Sequence, residues 1–159
     1  MKESTIEKIK KAGMSWIGTP YFHMANVKGA GADCALFLAS LFLEAGIISK
    51  VETLNYSRNW MVTGQQELMI EGFERHLSKY INKDFSYKKI NAPFDLFEFG
   101  DILCLTTPGS LVCHHAAMWF GKDLVLHAYQ RKGVCISQYR PIWNNRLRCV
   151  IRVIEEENV

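Results

Sequence analysis

Gly29-Ala30-Gly31-Ala32-Asp33-Cys34, continued by Ala35-Leu36-Phe37-Leu38-Ala39-Ser40-Leu41-Phe42-Leu43-Glu44-Ala45-Gly46, decides the fold of this chain. A glycine-rich loop runs into Asp33, whose carboxylate suits an N-cap because it accepts the orphan N–H groups of a first helical turn. The Ala, Leu and Phe that follow are apolar all round, which predicts a buried helix from Asp33 to about Ala45. Gly46 reads as its C-terminal stop. Cys34 takes the first helical position, where the helix dipole favours an anion and should lower a thiol pKa. A thiol so placed is a candidate nucleophile. The plainer reading is a small buried hydrophobe, the commonest fate of a cysteine.

The surrounding composition sets bounds. With 159 residues, 48% of them hydrophobic and 22% charged, residues 1–159 read as one domain with a real core. The net charge is +3 with the basic residues scattered, so no nucleic-acid partner is expected. Met1 to Lys11 is charged and lacks the apolar segment of a signal peptide, and no stretch reaches the roughly 18 apolar residues of a membrane span. Cytoplasmic synthesis is therefore the expectation, with any export by another route. The five cysteines, Cys34, Cys104, Cys113, Cys135 and Cys149, are odd in number and should be reduced. No Cys-x-x-Cys pair occurs, so no structural zinc is expected, and the reading calls for no cofactor.

Along the chain, Ile6, Ile9, Met14 and Ile17 give a broken helical stripe from about Ser4 to Trp16, with Ser4 and Glu7 in capping-box spacing. Gly18-Thr19-Pro20 ends it, and Tyr21 to Ala32 reads as loop. Asn55 to Trp60 reads as ordered loop. Gln65 to about Tyr80 is an amphipathic helix through Leu68, Met69, Phe73 and Leu77. Lys83 to Pro93 reads as a connection. After Phe99 the period changes. Asp101–Leu105, Cys113–Phe120, Leu124–Tyr129, Val134–Ser137 and Arg146–Ile154 are short apolar or β-branched runs separated by turn signals. Helices first and an antiparallel meander after them argue for an α+β domain.

His114 and His115 sit in one predicted strand and must point to opposite faces. Ala117 and Trp119 go with His115, Ala116 and Met118 with His114, and both sets are apolar, so pattern leaves the inner face open. Pairing the next strand about a turn near residue 121 sets His115 opposite His127, with Cβ atoms roughly 5 Å apart. A histidine beside a histidine suits a base held by a third polar group. For a single strand histidine, a satisfied core or edge position is the plainer reading. Trp60, Trp119 and Trp143 read as core or groove lining. Asp101 reads as a cap at a strand entry, and Arg146 and Arg148 as solvated strand residues.

These residues resemble the NlpC/P60 family of papain-like cysteine peptidases that cut bacterial cell-wall peptides. The resemblance rests on Trp16-Ile17-Gly18-Thr19-Pro20-Tyr21, Asp33-Cys34, Phe99-Gly100-Asp101-Ile102-Leu103, His115-Ala116-Ala117-Met118-Trp119-Phe120-Gly121 and Leu126-His127-Ala128, in that order. It implies a papain-like fold, with N-terminal helices packed on an antiparallel sheet of about five strands. It implies Cys34 as nucleophile, His115 as base and His127 as the residue orienting it. Tyr21 and Asp33 fall in the substrate-binding and oxyanion group. The implied reaction is hydrolysis of an amide bond in peptidoglycan stem peptides, of the γ-D-glutamyl-diaminopimelate type, through an acyl-enzyme. The long interval from Cys34 to His115, with Tyr56 to Trp60 inside it, looks closer to the phage-tail and prophage branch. That branch implies phage-tail or other wall-associated partners, and a virion-associated protein or one exported by a non-classical route. The chain departs from the family at Ala35-Leu36, where Ser-Gly is usual, and at Phe22-His23-Met24-Ala25, which replaces Gly-Gly.

Three rival readings stand beside this one. The first is an amidase or acyltransferase of the same fold acting on another amide or a lipid. The second is a phage-tail structural module without turnover. The third is a metal site built from Cys113, His114, His115 and His127.

Overall fold

The computed structural model of the protein describes residues 1–53, 67–94 and 96–157. In chain order it contains α1 (Glu3–Trp16), the two-residue strands β1 (Asn26–Val27) and β2 (Gly31–Ala32), α2 (Cys34–Glu44), α3 (Leu68–Tyr80) and strand β3 (Phe85–Ile90). Then come β4 (Ile102–Thr106), β5 (Cys113–Gly121), β6 (Leu124–Tyr129), β7 (Gly133–Gln138), a 3-10 turn (Pro141–Arg146) and β8 (Leu147–Glu155). Asn55–Trp60, and with it Trp60, lies outside the described residues, as do Gln65 and Gln66 at the expected start of α3.

The buried helix forms as its sequence demands. The Asp33 side chain accepts the Leu36 N–H at 2.8 Å, and Gly46 adopts φ 78° just past the helix end, the left-handed turn that favours glycine. Phe37, Leu38 and Leu41 are fully buried, each worth about 1.5–3 kcal/mol of burial free energy. Trp16 of α1 crosses α2 edge-on to Phe37, with ring centroids 5.6 Å apart, and its indole N–H donates to Glu44 at 2.7 Å. The capping box expected at Ser4 and Glu7 is not used. α1 begins one residue earlier, and the carbonyl of Lys2 takes the Thr5 and Ile6 N–H groups instead.

The six-stranded sheet has the order β3-β8-β4-β5-β6-β7, each neighbouring pair antiparallel. The strand beyond the expected five is β3, read from sequence as a connection. Its Phe-Ser-Tyr-Lys-Lys-Ile alternates weakly because it is an edge strand, and the lysines discourage pairing with another chain. One sheet face packs α1, α2 and α3 through Ile102, Cys104, Ala116, Met118 and Leu126. The other carries Leu103, Leu105, Ala117, Val125 and Val150, closed over by Phe97, Trp119, Tyr139 and Trp143. Trp119 and Trp143 thus line packed protein, as expected. Arg148 is exposed on β8, whereas Arg146 ends the 3-10 turn rather than starting a strand.

Asp101 does more than cap a strand. It is 1% exposed and takes a two-pronged grip from Arg152, Nε to Oδ1 at 2.8 Å and Nη2 to Oδ2 at 2.7 Å, while Oδ2 also accepts the Glu98 N–H. Breaking a buried pair strands the remaining charge, so Arg152→Ala should cost about 3–5 kcal/mol of stability. Urea unfolding checks this, and a loss below about 1 kcal/mol, the worth of a surface pair, overturns it.

Candidate active site

The loop before α2 is folded back on itself. Phe22 N–H donates to Ala32 at 3.1 Å, Ala32 N–H donates to Pro20 at 3.0 Å, and Tyr21 bridges to Ala32. Asp33 locks this arrangement. Its second oxygen accepts the Met24 N–H at 3.0 Å while the first caps α2. Asp33 is 1% exposed with backbone N–H groups on both oxygens, so it shapes the loop and the helix start. Tyr21 lies beside Cys34, and its hydroxyl pKa is raised by burial, then by the nearby Cys34 and Asp33 charges. Tyr21 therefore presents a neutral O–H donor next to the thiol.

Cys34 stands at the first position of α2, as read, but its thiol is not activated at rest. Burial first, then the Asp33 charge, push its pKa up to about 12, against partial relief from the N–H groups of Ala116 and Cys34 itself. The expectation of a lowered pKa fails because desolvation of a residue 3% exposed outweighs the helix terminus. Cys34 meets the sheet at Ala116, one residue past His115. Among the hydrogen bonds of the described residues, none joins Cys34 to an imidazole.

His115 and His127 do come together, by a different register from the one expected. The β5–β6 turn is Lys122-Asp123, both with positive φ, and the ladder slips between Trp119 and Gly121. The pairs are Trp119↔Val125 and Met118↔Leu126. Carried on, this register sets His127 across from Ala117 and leaves His115 on the diagonal, within reach of a long side chain. The bond forms across that diagonal, His115 Nε2 to His127 Nδ1 at 2.8 Å. By strand alternation both histidines share the face of Ala117 and Val125, opposite the face that packs Cys34. The two sides meet at β5, where Cys34 contacts Ala116, the residue after His115. β5 runs back to Cys113 and β6 on to Tyr129, but their ladder stops at Met118↔Leu126, so the strands part where the histidines stand.

The chain of contacts continues past the residues read from sequence. His127 Nε2 meets Ser137 Oγ of β7 at 2.9 Å, and Tyr129 stacks on the His127 ring with centroids 5.8 Å apart. Ser137 was missed, although a β6–β7 hairpin folded at Arg131 puts it on the diagonal from His127. His114 is turned elsewhere, its Nδ1 3.0 Å from Thr107 Oγ1. Among the described residues no group of three His, Cys, Asp or Glu is placed to hold a metal ion, and no helix is long and apolar enough to cross a membrane.

Burial first, and the neighbouring His127 second, hold His115 down to about 3, while burial and then Lys132 hold His127 down to about 4. Both are neutral in the folded protein where free histidine would already be charged. Below about pH 6.5 the unfolded chain binds more protons, so this contribution is intact above that pH and is lost as pH falls toward about 4. Melting temperatures across that window should fall in the wild type and fall less in a His115→Gln, His127→Gln double variant. A flat wild-type profile contradicts the depressed values.

Comparison with known proteins bears on what this geometry is for. A model of the NlpC/P60 family matches residues 18–152. The NlpC/p60 domain of the peptidoglycan hydrolase SagA is 17% identical with a TM-score of 0.51, covering 92% of this chain and 97% of that one. The peptidoglycan hydrolase RipB of Mycobacterium tuberculosis is 15% identical with a TM-score of 0.56, over 96% of this chain and 66% of that one. RipD of the same organism, described as a non-catalytic NlpC/p60 domain protein adapted to peptidoglycan binding, is 15% identical with a TM-score of 0.53, over 96% and 98%. Likeness at such identities speaks to fold, here the papain-like α+β fold. No curated protein matches.

Proposed function

Because the chain belongs to the NlpC/P60 family, we propose that it is a cysteine peptidase cutting an amide bond in peptidoglycan stem peptides, of the γ-D-glutamyl-diaminopimelate type, through Cys34, His115 and His127. The observation that carries this reading is the 2.8 Å bond between the two histidines, made where β5 and β6 part and one residue from the contact of Cys34 with the sheet.

The chemistry follows from the resting protonation states. With a thiol near 12 and an imidazole near 3, Cys34 and His115 are both neutral at rest. The thiol proton must therefore move to His115 Nδ1 as Sγ attacks the amide carbon, a transfer that tightens with substrate in place. The Cys34 N–H at the helix start and the Tyr21 hydroxyl are the donors offered to the oxyanion. His115 gives its proton to the departing amine, the C–N bond breaks and a thioester remains. Water, deprotonated by His115, then releases the acid and restores the thiol.

Mass spectrometry of purified peptidoglycan fragments incubated with the protein tests the reading, and the fragment masses name the bond. A second reading has one observation behind it. A cavity of about 160 Å³ lies between α2 and α3, lined in part by Ala35, Leu36, Ala39, Phe42, Met69 and Phe73. It suits an amidase or acyltransferase holding an apolar acyl group, and cleavage of acyl amides with intact wall fragments would favour that. The phage-tail or prophage setting, with wall-associated partners and delivery by the virion or a non-classical route, belongs to the proposal too. Fractionation of phage particles and cell walls decides it.

A further inference from the structure

We propose that Ser137 is a positioning residue that selects the tautomer of His127 and, through it, the nitrogen on which His115 acts as base; the catalytic half of this rests on the peptidase reading above. The residues form one line of diagonals over three adjacent strands: His115 on β5, His127 on β6, Ser137 on β7. The links are His115 Nε2 to His127 Nδ1 at 2.8 Å and His127 Nε2 to Ser137 Oγ at 2.9 Å.

A neutral imidazole carries one N–H, so His127 can adopt only two arrangements along this line. In the first, His127 Nε2–H donates to Ser137 Oγ. Its Nδ1 lone pair then accepts Nε2–H of His115, and His115 keeps a bare Nδ1 able to take a thiol proton. In the second, His127 Nδ1–H donates to His115 Nε2. His115 then carries its proton on Nδ1 and cannot act as base there. The Ser137 hydroxyl tips the choice because it can accept from His127 and still has an onward contact for its own proton, Cys135 Sγ at 3.8 Å. His127 is 3% exposed, so water is poorly placed to supply the same acceptor. When His115 becomes an imidazolium during turnover, the first arrangement already holds the acceptor it needs on Nε2, with no ring to reorient.

Nitrogen-15 NMR of histidine-labelled protein reads the tautomer directly and needs no substrate. Wild type and Ser137→Thr should show His127 protonated on Nε2, and Ser137→Ala should show it protonated on Nδ1 or mixed. On a cleaved substrate, Ser137→Ala should lose about 10–100-fold in kcat with KM little changed, and Ser137→Thr should recover most of it. A wild-type His127 protonated on Nδ1, or a tautomer unmoved in Ser137→Ala, overturns the proposal. A moved tautomer with unchanged kcat overturns its catalytic half. Matching backbone spectra for the three proteins show that each is folded. If no wall fragment is cleaved by any of them, the peptidase reading fails while the tautomer measurement still decides the role of Ser137.

Discussion

Cys34→Ala should abolish cleavage of peptidoglycan fragments, by about 10⁶-fold in kcat if Cys34 is the nucleophile of a cysteine–histidine unit. The fold should survive. The change removes one sulfur from a residue 3% exposed, a loss of about 1 kcal/mol, and leaves the Asp33 cap of α2 untouched. The two effects are separable, and their separation is the test. Thermal melting should be nearly unchanged while new fragments vanish from the mass spectrum. The wild type, stopped during turnover, should carry the mass of an acyl group that Cys34→Ala never acquires. A variant that still releases fragments places the chemistry on another residue. A wild type that binds fragments and never cuts them overturns the peptidase reading.

Local chemistry is what the sequence makes legible. Asp33 as cap, Gly46 as stop and the apolar run between them are decisions taken within a few residues, and the structure follows them. The strand runs after Phe99 were readable for the same reason. The register of β5 against β6 was not, because it depends on left-handed φ at Lys122 and Asp123, neither a glycine, and on one slipped residue beyond them. A shift of two keeps the side chains on the same face, so the histidine pair survives the error. The direction of the Cys34 shift could not be read, since burial is a property of the packed domain and the helix terminus only of its own turn. Arg152 lies 51 residues beyond Asp101, and only the pairing of β8 with β4 brings that fork to the carboxylate.

His115→Ala should cost about 10²–10⁴-fold in kcat, the range for loss of a general base, and His127→Ala only about 10–100-fold. The ranking follows from what each ring can be replaced by. His115 must accept the thiol proton and return it to the departing amine, and no other imidazole of the described site offers a free nitrogen there: His127 is committed to His115 and Ser137. His127 only holds an acceptor against His115 Nε2. Removing its ring opens a polar space between Ser137 Oγ and His115 Nε2, and a water with those two partners can accept from His115, less well oriented than the imidazole. His127→Asn, which returns a side-chain acceptor, should recover activity over His127→Ala, whereas His115→Asn should not recover over His115→Ala. Rates on one purified fragment for the four variants, each checked for folding, decide the matter. If His127→Ala proves the more damaging, the roles are exchanged: His127 is then the base, and His115, partly exposed at the parted strands, is the residue that orients it.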